Sequence, residues 1–413
     1  MDRRDRSAEA MTENNNGAWA AEIRDELVRN ILPFWQGRMR DPNGGFFGAA
    51  GCDGVVDLAA PRSSVVNARI LWTFATATRL LGDGYRATAD WAGDYLKRHF
   101  LDATHGGLYW LLDANGQPLS DRKQTYAQAF GIYALSEHAR ATGIGDSLDL
   151  AIGLYRLIEQ HAADRAGGGY IEALDRAWQP LADMRLSDKD LNSPKSMNTH
   201  LHVMEAYTNL LRVWRDPELE ARQAALIAVT LDRIVDNRTD HFRLFFDRDW
   251  RPLDGHVSYG HDIEGSWLLV EAAEVLGDAA LLARARAVAM LMAERTLAEG
   301  CDGDGSLYYE ADHDGRLVDA NKHWWPQAEA LVGFYNAYQM SGDAAFRTAA
   351  ADVWAFIRDR VVDRQHGEWH AKLNPDGRPY TAAEDADACL AGPWKCPYHN
   401  ARACFEMIER LEG

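Results

Sequence analysis

Apolar and polar positions follow two alternating rhythms along this chain. Long segments carry apolar residues every three to four positions, which predicts helices. One set of helices is expected near 18–36, 86–100, 146–162, 217–236, 278–297 and 343–360, and a second near 62–81, 124–142, 196–215, 260–276, 322–341 and 397–412. A short glycine–aromatic stretch separates each helix of the first set from the next helix of the second. The copies are Gly44-Gly45-Phe46-Phe47, Gly106-Gly107-Leu108-Tyr109-Trp110, Gly168-Gly169-Tyr170-Ile171, Phe242-Arg243-Leu244-Phe245-Phe246, Gly305-Ser306-Leu307-Tyr308-Tyr309 and Gly367-Glu368-Trp369-His370. Several run on into Asp113-Ala114-Asn115-Gly116, Asp314-Gly315 or Asp376-Gly377, which is the turn chemistry of a β-hairpin. The marker positions Gly45, Gly107, Gly169, Arg243, Ser306 and Glu368 are 62, 62, 74, 63 and 62 residues apart, so the chain reads as six copies of one unit.

A lone helix pair cannot bury its own apolar face, so the units must stack. Six pairs can close on themselves, with six inner and six outer helices. The expected fold is therefore all-α: one (α/α)6 barrel of twelve helices over 18–413, with short β-hairpins in the outer-to-inner connections. Residues 1–17 are polar and charged with no apolar signal core, and read as a disordered tail. An open solenoid is the alternative architecture, but neither end carries a polar capping repeat.

Composition narrows the partners. Of the 413 residues 47% are apolar, enough for a large core, and no stretch approaches the length of a membrane span. A net charge of −18 argues against nucleic acid or an anionic membrane and suits a neutral ligand. The five cysteines are an odd number without C-x-x-C spacing, which indicates reduced thiols and a cytoplasmic protein. A monomer or weak homo-oligomer is expected.

In such a ring the first turns of the inner helices surround one mouth. The chain places unusual residues there: Arg69 in the first; Tyr126 in the second; Asn198, His200 and His202 in the third; His261 and Glu264 in the fourth; His323, Trp324, Trp325 and Glu329 in the fifth; Trp394 and His399 at the sixth. A bland bundle would hold aliphatic core at that phase, so the mouth is the candidate binding site. Indole faces suit the C–H face of a pyranose. His261 and Glu264, three apart, share a helix face, and a carboxylate near an imidazole can orient it and raise its proton affinity. His200 and His202 point about 200° apart on a helix and cannot share a metal ion. His202 is expected to face the mouth with Asn198 and Glu205, and His200 to pack behind it. No metal site or cofactor is expected.

Four segments, 195–210 (KSMNTHLHVMEAYTNL), 258–269 (SYGHDIEGSWLL), 322–338 (KHWWPQAEALVGFYNAY) and 392–400 (GPWKCPYHN), resemble the signature segments of cellobiose 2-epimerases, within the N-acylglucosamine 2-epimerase superfamily. The resemblance runs in order over 18–413; Gly265 and Ala401 depart from it. It implies an (α/α)6 barrel and a cofactor-free inversion at C2 of the reducing-end sugar of a β-1,4-linked disaccharide, cellobiose to glucosyl-mannose. By similarity His261 and His399 form the acid/base pair, His202 is a third essential histidine, Arg69 meets the reacting oxygens and Glu264 supports the site. Trp324 and Trp394 would stack on sugar, and Tyr126, Asn198 and Asp190 would make polar contacts; Trp325 is a further stacking candidate from its place beside the helix start, where core packing is the alternative.

The residue types fit that chemistry. The ring must open before C2–H becomes acidic, imidazole is the natural base near neutral pH, and a cis-enediolate needs fixed cationic donors. Competing readings are a monosaccharide 2-epimerase or aldose–ketose isomerase on the same scaffold, an inverting glycoside hydrolase, which needs two opposed carboxyls, and a non-catalytic sugar-binding protein.

Overall fold

The structure, a computed structural model, describes residues 16–385 and 387–413. Most of the expected tail, residues 1–15, therefore lies outside the described residues, while Asn16 and Gly17 already belong to the first helix. Twelve helices follow in two alternating sets. The outer set is α1 (16–38), α3 (Arg86–Tyr95), α5 (Gly145–Leu157), α7 (Pro217–Val229), α9 (Ala279–Arg295) and α11 (Ala344–Phe356). The inner set is α2 (Ser64–Leu81), α4 (Thr125–Thr142), α6 (Met197–Leu211), α8 (Tyr259–Leu276), α10 (Trp324–Ser341) and α12 (Tyr398–Glu412). Inner helices pack in sequence order and α12 returns to α2, which closes the ring. The barrel expected from the repeats is the fold observed, and the open solenoid is not.

Local chemistry sets the helix ends. Ser63 and Ser196 accept the Val66 and Thr199 N–H groups at the starts of α2 and α6, and Asp216, Asp278 and Asp343 do the same for α7, α9 and α11. Gly143, Gly277 and Gly342 end α4, α8 and α10 in the left-handed conformation. The outer helices α3, α5, α7, α9 and α11 each continue into a five-residue π-helical turn, at Leu96–Phe100, Ile158–Ala162, Thr230–Ile234, Thr296–Gly300 and Ile357–Val361, which periodicity alone does not distinguish from α-helix.

The connections do more than form hairpins. The strand leading into one inner helix pairs antiparallel with the hairpin of the next unit: 62–63 with 111–112, 123–124 with 173–174, 195–196 with 245–246, 256–258 with 310–312, and 322–323 with 372–373. The sixth pairing, 389–391 with 49–51, joins the last unit to the first. The mouth is thus ringed by six small sheets, each shared between neighbours. Behind them the fourth residue of an inner helix supports a hairpin. Leu108 N–H donates to Gln128 (2.7 Å), Tyr170 N–H to His200 Nε2 (2.9 Å), Phe242 N–H to Asp262 (2.8 Å) and Leu307 N–H to Gln327 (2.8 Å). His200 therefore packs behind the wall, as its phase predicted; burial pushes its imidazole down to about 4 and keeps Nε2 free to accept.

The one long spacing, 74 residues, has a structural cause. The third connection carries an extra loop whose tip, Lys189, lies 3.2 Å from Asp387 of the sixth connection, opposite it in a six-membered ring. No helix among the described residues is long and apolar enough to cross a membrane. The five cysteines are all free thiols.

Candidate active site

The sixth residue of four inner helices is a buried polar or charged one: Arg69 in α2, His202 in α6, Glu264 in α8 and Glu329 in α10. The side chain one turn nearer the mouth is Tyr126 in α4, Asn198 in α6, Trp325 in α10 and His399 in α12. This is the 3.6-residue period read across the ring instead of along one helix.

At the centre is Arg402, 1% exposed. Its Nη1 donates to Glu205 Oε1 and to Tyr398 Oη, and its Nη2 to Glu264 Oε1 (2.5 Å) and Glu329 Oε1 (2.6 Å). Three buried carboxylates from α6, α8 and α10 thus share one guanidinium from α12. Two of them hold histidines: Glu205 Oε2 is 2.8 Å from His202 Nδ1, and Glu329 Oε1 is 2.6 Å from His399 Nδ1. With Nδ1 occupied, each imidazole has only Nε2 left for a ligand.

His261 is arranged differently. Its Nδ1 is 2.8 Å from Ser258 Oγ, one turn back at the helix start. The pairing with Glu264 suggested by their spacing is not made, because Arg402 draws that carboxylate inward, where it lies 3.9 Å from His399 Nδ1. The indole of Trp325 sits between the two histidines, 4.6 Å from the His261 ring and 5.7 Å from the His399 ring. His261 and His399 are therefore neighbours across one tryptophan although 138 residues apart in sequence.

On the opposite wall Arg69 Nη2 donates to Tyr126 Oη (2.8 Å), and its guanidinium lies over the rings of Phe130 (4.2 Å) and Tyr398 (4.7 Å). Tyr126 touches His202, ring centres 5.1 Å apart, and Trp394 at 6.2 Å. Trp394 is part-exposed at the rim beside Trp110 (6.1 Å). Trp324 lies 6.3 Å from His399, and its indole N–H is buried without a partner. Asn198 Oδ1 is likewise buried and unpaired. Asp190 stays half-buried in the long third loop, its carboxylate accepting from Ser187 N–H (2.8 Å) and Oγ–H (3.0 Å). Arg69, Tyr126, His202, Glu264, Trp324, Trp325, His399, His261 and Trp394 are thus linked by contact, while Asn198 and Asp190 join through position alone.

Burial and close charges displace several groups of the cluster from their ordinary protonation ranges. Burial, with Glu329 beside it, pushes the Glu264 carboxyl up to about 7, and burial also raises Glu329. Burial acts against ionised Glu205 too, but Arg402, His202 and Tyr398 outweigh it and bring that carboxyl down to about 2. Burial, then the charges of Arg69 and Arg402, holds His399 well below the usual imidazole range; burial likewise pushes His261 down to about 3. Both shifts favour the neutral imidazole over the imidazolium.

Glu264, Glu329 and His399 bring three ligand-type atoms within 4.8 Å of one another. The same carboxylate oxygens are already bound by Arg402, so this donor set is matched to a guanidinium rather than an ion.

Sequence reasoning did not single out Arg402, Tyr398, Phe130, Ser258 or Trp110, and it left Glu205 and Glu329 without a role. Glu329 was within reach: it occupies in α10 the place that Glu264 occupies in α8. Arg402 offered no local signal, since α12 reads as an ordinary amphipathic helix.

The family model for N-acylglucosamine 2-epimerase (GlcNAc 2-epimerase) matches residues 45–396. The cellobiose 2-epimerase of Bacteroides fragilis is 46% identical over 389 residues, covering 94% of this chain and 98% of that protein. That of Dictyoglomus turgidum is 38% identical over 393 residues, 95% and 98% of the two chains. The solved structure of cellobiose 2-epimerase from Bacillus thermoamylovorans superposes with a TM-score of 0.90 at 39% identity, covering 95% of this chain and all of that one.

Proposed function

The chain belongs to the N-acylglucosamine 2-epimerase family, and from that premise we propose that it is a cofactor-independent epimerase inverting C2 at the reducing end of a β-1,4-linked disaccharide, cellobiose to glucosyl-mannose. The observation that carries this reading is the pair of imidazoles, His261 and His399, packed against Trp325, with Arg69 hydrogen-bonded to Tyr126 beside them.

The reaction runs in three stages. His202, oriented by Glu205, protonates the ring oxygen while the free nitrogen of one imidazole of the His261/His399 pair takes the O1 proton, with Arg69 and Tyr126 at the sugar oxygens. The aldehyde then makes C2–H acidic, and one of His261 and His399 removes that proton through its free nitrogen. Charge collects on O1 and O2 as the cis-enediolate, opposite the permanent charge of Arg69. The other imidazole, carrying the proton it took from O1, returns it to the opposite face of C2, and ring closure reverses the first stage. Trp324 and Trp325 cover the reacting sugar. Trp394, beside Trp110 at the rim, stacks on the second one, and Asn198 and Asp190 complete the polar contacts.

The net charge of −18 suits a neutral disaccharide rather than an anionic ligand, and the free thiols support a cytoplasmic enzyme; a monomer or weak homo-oligomer is expected. Incubation with cellobiose followed by proton NMR is the test. A manno-configured reducing end is expected. Ketose as the main product would replace this reading by an aldose–ketose isomerase, and free glucose by a hydrolase. The arginine-bound state of all three central carboxylates argues against hydrolysis, which needs two carboxyls free to act.

A further inference from the structure

Two histidine–glutamate pairs, built alike, hang from the two nitrogens of one arginine, and they are not treated equally. Glu205 receives Nη1 of Arg402 and, in addition, the Tyr398 hydroxyl. Glu264 and Glu329 must share Nη2; Glu329 Oε2 also accepts from the Trp267 indole N–H (3.1 Å), whereas Glu264 Oε2 is buried without any partner. Fixed donors favour a full negative charge on Glu205. Two carboxylates crowded on one N–H favour keeping a proton between them. An anionic Glu205 against His202 stabilises imidazolium there. A partly neutralised Glu264–Glu329 pair gives His399 no such support.

We propose that Arg402 is the positioning residue that makes two like histidine–glutamate pairs unlike, holding His202 as the proton-carrying acid and His399 as the free base. This rests on the epimerase reading for its consequences but not for its test. His202 faces Tyr126, Glu205, Glu264, His261, His399 and Arg402. His399 faces Arg69, Glu264, Glu329, His202, His261 and Arg402. Tyr398 contacts both rings. Arg69 bears on His399, and Arg402 holds the carboxylates of the two pairs differently. The acid can then protonate the ring oxygen while the base, already neutral, takes a proton from the substrate. No earlier transfer between them is needed. Arg402 acts through the carboxylates it binds.

The test is imidazole carbon and nitrogen NMR on histidine-labelled, ligand-free protein, with signals assigned through His202→Gln and His399→Gln. In the wild type the His202 signal should be that of imidazolium at a pH where His399 is still neutral with its proton on Nδ1. Arg402→Lys, which keeps one charge but cannot bridge three carboxylates, should bring the two titrations at least tenfold closer in proton affinity. Two histidines titrating together in the wild type, or a separation unchanged in Arg402→Lys, overturns the proposal. Should Arg402→Lys lose its helical circular dichroism, Tyr398→Phe replaces it. Loss of that one donor to Glu205 should move the His202 signal and leave His399 in place, and an unmoved His202 counts against the proposal. For activity, Arg402→Lys should lower kcat about 100-fold with KM for cellobiose within about threefold, and narrow the pH profile. A profile merely scaled down at every pH would assign Arg402 a purely structural role. Wild-type protein inert towards cellobiose would remove the epimerase reading while leaving the NMR result to decide this one.

Discussion

Replacing Glu264 by glutamine should make the protein more stable at alkaline pH while removing its activity. The carboxyl is fully buried, one oxygen is bound by Arg402, the other has no partner, and burial beside Glu329 lifts it from 4.5 to about 7. A rise of that size corresponds to about 3 kcal/mol of differential interaction between the two protonation states. The direction follows from linkage. The folded protein holds a proton that the unfolded chain has released above pH 4.5, so this group's contribution to stability is full below that pH and is lost as pH rises through about 7. Glutamine mimics the protonated form and cannot ionise. The variant and the wild type should therefore have similar urea midpoints near pH 4.5 and diverge progressively, the variant gaining up to about 3 kcal/mol by pH 8. Measuring urea denaturation at half-unit steps between those limits gives the difference curve directly. Two parallel curves would refute the reasoning, because they would mean that Glu264 is ionised at the same pH in both states. A buried, under-partnered carboxylate is a burden on the fold, and its retention is what a stability–function trade-off looks like at residue level.

Substituting His399 or His261 by alanine should lower turnover by about 10²–10⁴-fold with the helical circular dichroism intact; near wild-type rates in either would contradict its acid–base role. Trp394→Ala removes roughly 50 Å² of stacking face, about 1.3 kcal/mol or near tenfold in KM for cellobiose, so an unchanged KM would dismiss the rim indole as a sugar platform. Gly265→Ala should cost about 1–3 kcal/mol in thermal or urea unfolding, because a Cβ there would meet the buried Phe242 ring at 2.1 Å. Adding Phe242→Leu should recover most of that loss, and a Gly265→Ala protein as stable as wild type would show that the ring yields.

The barrel was legible because its evidence is repetition. Six glycine–aromatic stretches at near-constant spacing leave few other ways to bury six helix pairs. The mouth was legible because polar and aromatic residues recur at one phase of that repeat. The centre was not. Arg402 reads as a surface arginine on an amphipathic helix, and only the arrival of Glu205, Glu264 and Glu329 from three other helices makes it buried and indispensable. The His261–Glu264 spacing suggested a local pair, but a third residue nearly 140 positions away captured the carboxylate. The cross-unit sheets escaped notice for the same reason. Their two- and three-residue strands have no periodicity of their own and are defined by partners one unit away.

Proton transfer at C2 is the central step, and one measurement reaches it most directly. Wild-type protein and His399→Ala are incubated with cellobiose in D2O, and deuterium at C2 of the reducing-end sugar is followed by NMR. Deuterium should enter C2 together with the appearance of glucosyl-mannose in the wild type, and neither should occur in the variant. An epimer formed with no deuterium at C2, or no exchange at C2 of any aldose, would contradict it.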